Sequence, residues 1–237
     1  MNITSSIVSS EALIDGVAVT LRESARARRL RLTVDSRTGA VLLVLPRRAS
    51  RRRALAWATE QSAWIAARRA AVPPPLPIVP EAELPYRGVP RRLDWSSCRP
   101  RRIWIDGDRI VAGGPAEGLA TRMLRWLRNE ALCLLTDETR HYAAIAGAEV
   151  SKVGVGDPRS RWGSCSCAGA IRYSWRLILA PDHVRRATVA HEVAHLIHLH
   201  HGPDFHALVA NLFEGDPLAA RAWLRRHGAA LHAVGRP

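Results

Sequence analysis

The stretch Thr188-Val-Ala-His-Glu-Val-Ala-His-Leu-Ile-His-Leu-His-His-Gly202 decides the fold and chemistry that this sequence predicts. It contains the pattern H-E-x-x-H at His191, Glu192 and His195. On a helix, two histidines four residues apart share one face and lie about 6 Å apart along the axis. Both imidazoles can therefore reach one metal ion, and the carboxylate of Glu192 can approach a water molecule at that ion. The stretch predicts the active-site helix of a metal-dependent hydrolase.

A third ligand is expected at His201, six residues after His195. Gly202-Pro203 follows it and is expected to end the helix, so the chain can turn and bring a third nitrogen back to the metal. Three protein ligands with one open position are typical of a catalytic zinc site. Glu214 is the rival third ligand, because some zinc hydrolases use a carboxylate on a following helix.

Other candidate ligands near this stretch have simpler interpretations. His198, His200 and His206 are expected to be surface or supporting groups. Cys165 and Cys167 lie on one face of a predicted strand with no partner pair elsewhere, which indicates small, partly buried side chains. The four cysteines form no disulfide framework, which suggests a reducing cytoplasm.

The composition predicts a folded protein with an uneven positive charge. Of the 237 residues, 47% are hydrophobic, yet no run approaches the roughly 20 apolar residues of a membrane span and no secretory signal is recognisable. The net charge is +14, and residues 1–80 hold 13 arginines against five acidic residues. The Arg-rich segments 22–31 and 47–53 are candidates for nucleic-acid contact. A solvated helix face is the main alternative for these two segments, and a mutational bias towards Arg and Ala codons is the preferred explanation of the overall charge.

The hydrophobic pattern predicts an α+β protein in two parts. Residues 1–80 are expected to form a β-rich module, with an antiparallel meander of strands over 17–22, 30–34 and 40–45, a helix over 50–71 and a stiff Pro-rich linker over 72–80. Residues 81–237 are expected to form the hydrolase domain. Its predicted elements are a hairpin region over 84–112, a helix over 115–147, strands over 150–155, 160–167 and 171–179, and helices over 181–202, 205–213 and 216–228.

Several motifs together resemble one family. Ser160-Arg-Trp-Gly-Ser-Cys-Ser166, Trp175-Arg-Leu-Ile-Leu-Ala-Pro181, the H-E-x-x-H segment and His201-Gly-Pro-Asp-Phe205 resemble the YgjP-like metallopeptidases, which are similar to the SprT-like and WLM zincins. The resemblance implies one zinc ion bound by His191, His195 and His201, with Glu192 catalytic. It also implies a zincin-like fold in which 160–167 or 171–179 lies beside the active-site helix and pairs with a substrate chain.

The sequence departs from the family pattern just after the helix. The family usually has Asn-His-Ser and then Phe-Trp, whereas this chain has His200-His201-Gly202 and Phe205-His206. The position of the ligand histidine is retained, so the departure concerns the rim of the site.

The expected activity is zinc-dependent hydrolysis of peptide bonds, with Glu192 taking a proton from the attacking water and passing it to the leaving amine. Arg161, Tyr173 and Arg176 are candidates to stabilise an oxyanion or to hold a substrate carboxylate, and pairing on a solvated strand face is the alternative for them. A second hypothesis is a nucleic-acid-associated protein, with a structural zinc or with proteolysis of DNA-bound protein. The substrate itself is not indicated.

Overall fold

The computed structural model describes residues 9–236, which form two compact units divided after Pro74. Both units combine strands with helices, so the expected α+β class is confirmed. Each unit has a hydrophobic core of its own. None of the helices in the described part of the chain is long and apolar enough to cross a membrane.

The N-terminal unit contains a four-stranded sheet. Its strands are β1 (Ser9–Ile14), β2 (Val17–Ser24), β3 (Arg31–Val34) and β4 (Val41–Pro46), in the order β1-β2-β4-β3. The predicted antiparallel meander is wrong, because β4 lies between β2 and β3 and pairs with β2 in parallel. Strand β1 was not predicted, since its sequence is polar at the start and shows little alternation.

Two helices cover one face of this sheet. The predicted helix over 50–71 is divided at Gln61 into α1 (Arg51–Glu60) and α2 (Ser62–Ala70), and Ser50 caps α1 as predicted. Alternate residues of β4 are buried against these helices, with Leu43 and Leu45 fully enclosed beside Ala58 and Ile65. Because successive side chains of a strand point to opposite faces of the sheet, these alternate residues place one face of the sheet against the core.

The C-terminal unit begins with a second sheet of the same topology. It contains β5 (Glu83–Tyr86), β6 (Val89–Ser96), β7 (Ile103–Asp106) and β8 (Arg109–Gly113), in the order β5-β6-β8-β7. The long helix α3 (Leu119–Ala146) follows and ends at Gly147, whose φ of 65° is the left-handed conformation expected of a C-cap glycine.

The proline-rich segment is not a free spacer throughout its length. Leu76 forms a parallel bridge with Val234, and Ile78 is buried in the core of the C-terminal unit. The observed boundary between the units therefore lies at Pro74, six residues before the predicted one at 80.

A small third sheet lies next to the predicted active-site helix. It contains β9 (Lys152–Gly156), β10 (Gly163–Cys165) and β11 (Ala170–Ser174), in the order β10-β11-β9, so β10 is an edge strand. The strand predicted over 171–179 ends at Ser174 and continues as a 3-10 helix over Trp175–Ile178. All four residues of that helix are buried, which removes the alternation that a half-exposed strand requires.

The last three helices are α4 (Asp182–Ala194), α5 (Pro203–Leu212) and α6 (Pro217–Ala233). Helix α4 ends at Ala194, well before the predicted Gly202, so the last ligand candidate lies in the connection to α5. Helix α6 continues past Gly228, which was predicted to end it. Gly228 is instead a packing position, because a Cβ there would lie 2.7 Å from the indole of Trp162.

Two sets of contacts hold the N-terminal end of α4. The β5–β6 turn contacts the segment that leads into α4. The backbone N–H of Arg87 in this turn donates to Ile178 O (2.7 Å), and Gly88 packs against Pro181. The fully buried Arg185 donates two hydrogen bonds to Glu138 of α3, at 3.0 and 2.8 Å, and a third to Asp182 at 2.7 Å. These contacts fix the helix that carries the H-E-x-x-H pattern.

Candidate metal centre

Three histidines from two adjoining segments converge on one point. His191 and His195 belong to the last turn and the C-cap of α4, and His201 lies two residues before α5. One ligand atom of each lies within 4.8 Å of the others, and the Nε2 atoms of His191 and His201 are 3.2 Å apart. Two nitrogens bound to one tetrahedral zinc lie about 3.3 Å apart, since each bond is about 2.0–2.1 Å. The donor set therefore fits a zinc ion.

Neighbouring groups hold these imidazoles in place. Nδ1 of His195 lies 3.0 Å from the carbonyl oxygen of His198, and in the tautomer that donates this hydrogen bond Nε2 is left free for a metal. Phe205, fully buried at the start of α5, packs against all three rings with centroid separations of 4.6 to 4.9 Å. The packing of this aromatic side chain thus restricts the positions of all three imidazole rings.

The electrostatic setting favours neutral imidazoles. Burial, with the neighbouring His195 and His201, lowers the pKa of His191 to about 4. Desolvation and the positive groups around it also lower the pKa of His201. Metal ions bind the neutral form of histidine, so both side chains are in the metal-binding form at neutral pH.

Glu192 follows His191 in α4, and its carboxylate is buried in contact with the edge strand. Only 6% of the residue is exposed, and a Cβ on Gly163 would lie 2.6 Å from its Cδ. Burial raises the pKa of Glu192 to about 7, and the positive charge of Arg161 opposes this rise. A carboxylate with a pKa near neutrality is suited to take up and release a proton.

Arg161 lies in the loop before β10 and lines a cavity of about 280 Å³ with Asp157, Pro158, Ser164 and Arg172. The cross-strand partner of Ser164 in β11 is Arg172, and both arginines are exposed. Neither guanidinium group has a hydrogen bond or ion pair with any residue in 9–236. Two unpaired guanidinium groups thus face the same cavity.

The other two predicted substrate contacts have structural partners. Tyr173 is fully buried, with its hydroxyl 3.0 Å from Thr139 Oγ1. Arg176, 5% exposed, donates to both carboxylate oxygens of Asp157 (2.8 and 3.1 Å) and to the carbonyl oxygens of Leu231 and Val234. Burial removes both side chains from contact with a substrate in this structure, and Arg176 joins the third sheet to the end of α6.

The remaining ligand candidates lie outside the histidine cluster. Among residues 9–236, the His191–His195–His201 set is the group of histidine, cysteine and acidic side chains close enough to hold a metal. Glu214, His198, His200 and His206 are not members, and all four cysteines are free thiols. A second cavity, of about 360 Å³, adjoins His195 and is lined by Glu149, Ser151, Cys167, Leu196 and Leu199.

Three supporting residues were not predicted as such. Phe205 belongs to the His201–Phe205 motif of the family resemblance, but its packing was not predicted, because it depends on three rings that meet only in the fold. Gly163 carries a signal in retrospect, since a glycine inside a short strand often marks a close approach of another group. Arg172 could be placed next to Arg161 only once the β10–β11 register was known.

A sequence model of the YgjP-like metallopeptidase domain matches residues 28–227. The match covers both units, from the loop after β2 to the second half of α6. No curated protein and no solved structure matches the chain significantly.

Proposed function

The chain belongs to the YgjP-like metallopeptidase family, and we propose that it hydrolyses peptide bonds with one zinc ion held by His191, His195 and His201. The observation that supports this most strongly is the convergence of three imidazoles next to the buried carboxylate of Glu192. A bound zinc ion supplies Lewis acidity towards the scissile carbonyl and towards water.

Glu192 is the proposed general base and acid. Its carboxylate accepts a proton from the attacking water and then delivers that proton to the nitrogen of the leaving amine. The contact with Gly163 and the burial by α4 fix the side chain, so that one carboxylate can serve both steps. A pKa of about 7 in the metal-free protein is close to the value at which both transfers are efficient.

We propose that the substrate binds as an extended chain along β10. This strand is at the edge of its sheet and contacts α4 through Gly163. An edge strand offers unpaired backbone N–H and C=O groups, which a peptide can satisfy by adding a strand. The peptide bond would then pass between the edge strand and the histidines.

We propose further that Arg161 and Arg172 bind a carboxylate of the substrate, either an Asp or Glu side chain or the C-terminal carboxylate. Both guanidiniums face the cavity at β10 and lack a partner among the described residues. Arginine forms two parallel hydrogen bonds with a carboxylate, which suits recognition of this group.

The catalytic proposal is tested by Glu192→Gln. The variant is expected to bind zinc as the wild type does and to lose at least about a thousandfold in turnover, because the amide cannot accept the proton. The measurements are metal content and digestion of an unbiased peptide library by the zinc-loaded full chain. Unchanged hydrolysis by the Gln variant would exclude Glu192 as the base.

The substrate proposal is tested with Arg161→Gln and Arg172→Gln, using Arg159→Gln as the matched control. Arg159 lies in the same loop and is exposed, but it does not line the cavity. On carboxylate-bearing peptides, each test variant should lose about tenfold in kcat/KM, mainly because KM rises. On the amidated or Gln counterparts of these peptides, kcat/KM should change little. Equal losses on both peptide sets would contradict a carboxylate contact.

A further inference from the structure

One end of the N-terminal unit collects ten exposed arginines. Strands β2 and β4 are parallel and β3 is antiparallel to β4, so the last residues of β2 and β4 lie at the same end as the first residue of β3. The loop 25–30, the turn 47–50 and the start of α1 are therefore all at this end. We call it the basic end, and its exposed arginines are Arg22, Arg26, Arg28, Arg29, Arg31, Arg47, Arg48, Arg51, Arg52 and Arg53.

The arginines of the basic end lie both on the four-stranded sheet and in the first turn of α1. Arg22 and Arg31 both pair in register with Val44, which faces away from the core that encloses Leu43 and Leu45. One strand, β4, lies between them, so the two side chains start two strand spacings, about 10 Å, apart on the outer face of the sheet. Arg51–Arg53 form the first turn of α1, where the helix dipole adds further positive potential.

Few acidic groups oppose this charge. Asp15 and Asp35 lie in the β1–β2 and β3–β4 turns at the opposite end of the sheet, and Glu60 is the last residue of α1. Glu23, near the end of β2, pairs in register with Leu45 at the basic end, and Glu11 of β1 pairs with Thr20, two residues before Arg22. These two carboxylates stand against ten arginines. None of the ten arginines has an ion pair within the part of the chain that the structure describes. Their mutual repulsion is relieved when a polyanion binds.

We propose that the basic end binds the phosphate backbone of double-stranded nucleic acid, without regard to base sequence. Guanidinium groups match phosphate oxygens in a two-pronged geometry. The ten arginines are spread over a sheet face, two loops and a helix start, an arrangement that suits a row of phosphates better than a single small anion. Binding would release condensed counterions, so it should weaken steeply with salt.

Duplex nucleic acid fits this surface better than a single strand or a lipid bilayer. Single strands are bound largely by stacking on aromatic rings, and peripheral binding to membranes requires apolar anchors. Within 9–74, the exposed large hydrophobic side chains are Leu13, next to the turn at the opposite end, and Trp64, in α2. Neither lies at the basic end.

The test uses the full chain and a fluorescent DNA duplex of about 20 base pairs, titrated between roughly 50 and 200 mM salt. The variant R28Q/R29Q/R47Q/R48Q removes four loop arginines for which the structure gives no intramolecular contact. We expect it to lose about tenfold or more in affinity and to reduce the slope of log affinity against log salt by about 3–4. The four-Lys variant at the same positions should retain most of the affinity.

The matched control is R125Q/R140Q/R225Q/R226Q, which removes the same charge from exposed positions of α3 and α6. Its affinity should fall by less than about threefold, because these arginines are not part of the basic end and only the net charge of the protein changes. An equal loss in both variants would overturn the proposal. Tighter binding to the single strand, or binding to phosphatidylserine vesicles without binding to the duplex, would also overturn it. The result does not depend on peptidase activity.

Discussion

Gly163 is the position at which one additional methyl group would meet the carboxylate of Glu192, the proposed general base. A Cβ there lies 2.6 Å from Cδ of Glu192, closer than real Cβ contacts allow. The carboxylate lies between its own helix α4 and the edge strand. If it moved to avoid the added methyl group, it would leave the position from which it could act at the histidine cluster. The glycine is required by this close approach, since its backbone lies in an ordinary strand.

We therefore expect Gly163→Ala to lose at least about a hundredfold in turnover while it retains zinc, because the three atoms nearest to the added Cβ all belong to Glu192 and none to a histidine. The matched control is Gly154→Ala in β9 of the same sheet, where a Cβ meets nothing within 4 Å. Metal content and peptide hydrolysis are measured on both. Normal activity in the Gly163 variant would show that the carboxylate has room to relocate.

At the residue scale, the spacing of the histidines in the sequence was sufficient to predict that they lie close together. It was not sufficient to predict which side chains surround them. H-E-x-x-H and the Gly-Pro step after His201 depend on local chain geometry, and the structure does place the three imidazoles within reach of one ion. Whether they bind zinc in solution stays a prediction. Tyr173 and Arg176 were predicted as substrate contacts from their side-chain types alone. Their burial depends on the packing of the fold and could not be predicted from the sequence.

The N-terminal half of α4 depends on one buried arginine. Arg185 is completely enclosed and bridges Glu138 of α3 and Asp182 of its own helix. Substituting it leaves Glu138 without its principal partner and removes one of the two arginines that pair with Asp182, and removal of one member of a buried ion pair is costly. Arg185→Met is expected to lower the free energy of unfolding by about 3 kcal/mol.

Arg186→Met is the control for this substitution, because Arg186 contacts the same Glu138 at 3.4 Å from a mostly exposed position. Its effect should stay below about 1 kcal/mol, as is usual for exposed pairs. Urea unfolding of the three proteins gives the comparison. If the two variants were equally stable, the buried bridge would not anchor the helix.

Asp182 makes the stability of the same region depend on pH. Its hydrogen bonds from Arg87, and then from Arg185, hold the pKa of this carboxyl well below its usual range. A carboxyl with a lowered pKa in the folded state stabilises the fold above its unfolded pKa of about 4, and that stabilisation is lost as the pH falls further. Asp182→Asn should thus melt a few degrees below the wild type at pH 7, with the difference shrinking between pH 5 and 3.

Asp137→Asn serves as the reference for this measurement, since Asp137 is exposed on α3 and has no described partner. Its melting temperature should follow that of the wild type throughout the pH series. A difference for Asp182→Asn that stayed constant down to pH 3 would mean that the charge of Asp182 is not what stabilises the fold.

The elements were predicted best where periodicity and end signals agreed. Helix α3 and its glycine cap satisfy both, whereas α4 has no breaker between His195 and His201 and was therefore extended too far. The order β1-β2-β4-β3 could not be deduced from alternation, because alternation identifies strands and leaves their neighbours undefined. Glycines were ambiguous: Gly147 ends a helix, while Gly228 lies inside one beneath Trp162.

For the whole molecule, the metal should act as a ligand that stabilises the fold. A ligand that binds only the folded state adds stability, and a concentration about a hundredfold above Kd adds about 2.7 kcal/mol. We expect chelated protein to melt several degrees higher after zinc is restored. His201→Ala should show a much smaller shift, because two histidines remain, and an equal shift in scanning calorimetry would place the metal elsewhere.

The division of the chain at Pro74 also sets an order of events during synthesis. The core of the N-terminal unit is built from Ile14 to Ile65, so all its residues are synthesised long before the histidine cluster. Ribosomes add roughly 5–20 residues per second, and the 127 residues between Pro74 and His201 take about 6–25 s. During that interval we expect the N-terminal unit to fold on the nascent chain, while the helix that carries the H-E-x-x-H pattern, and with it the proposed metal site, is still to be made.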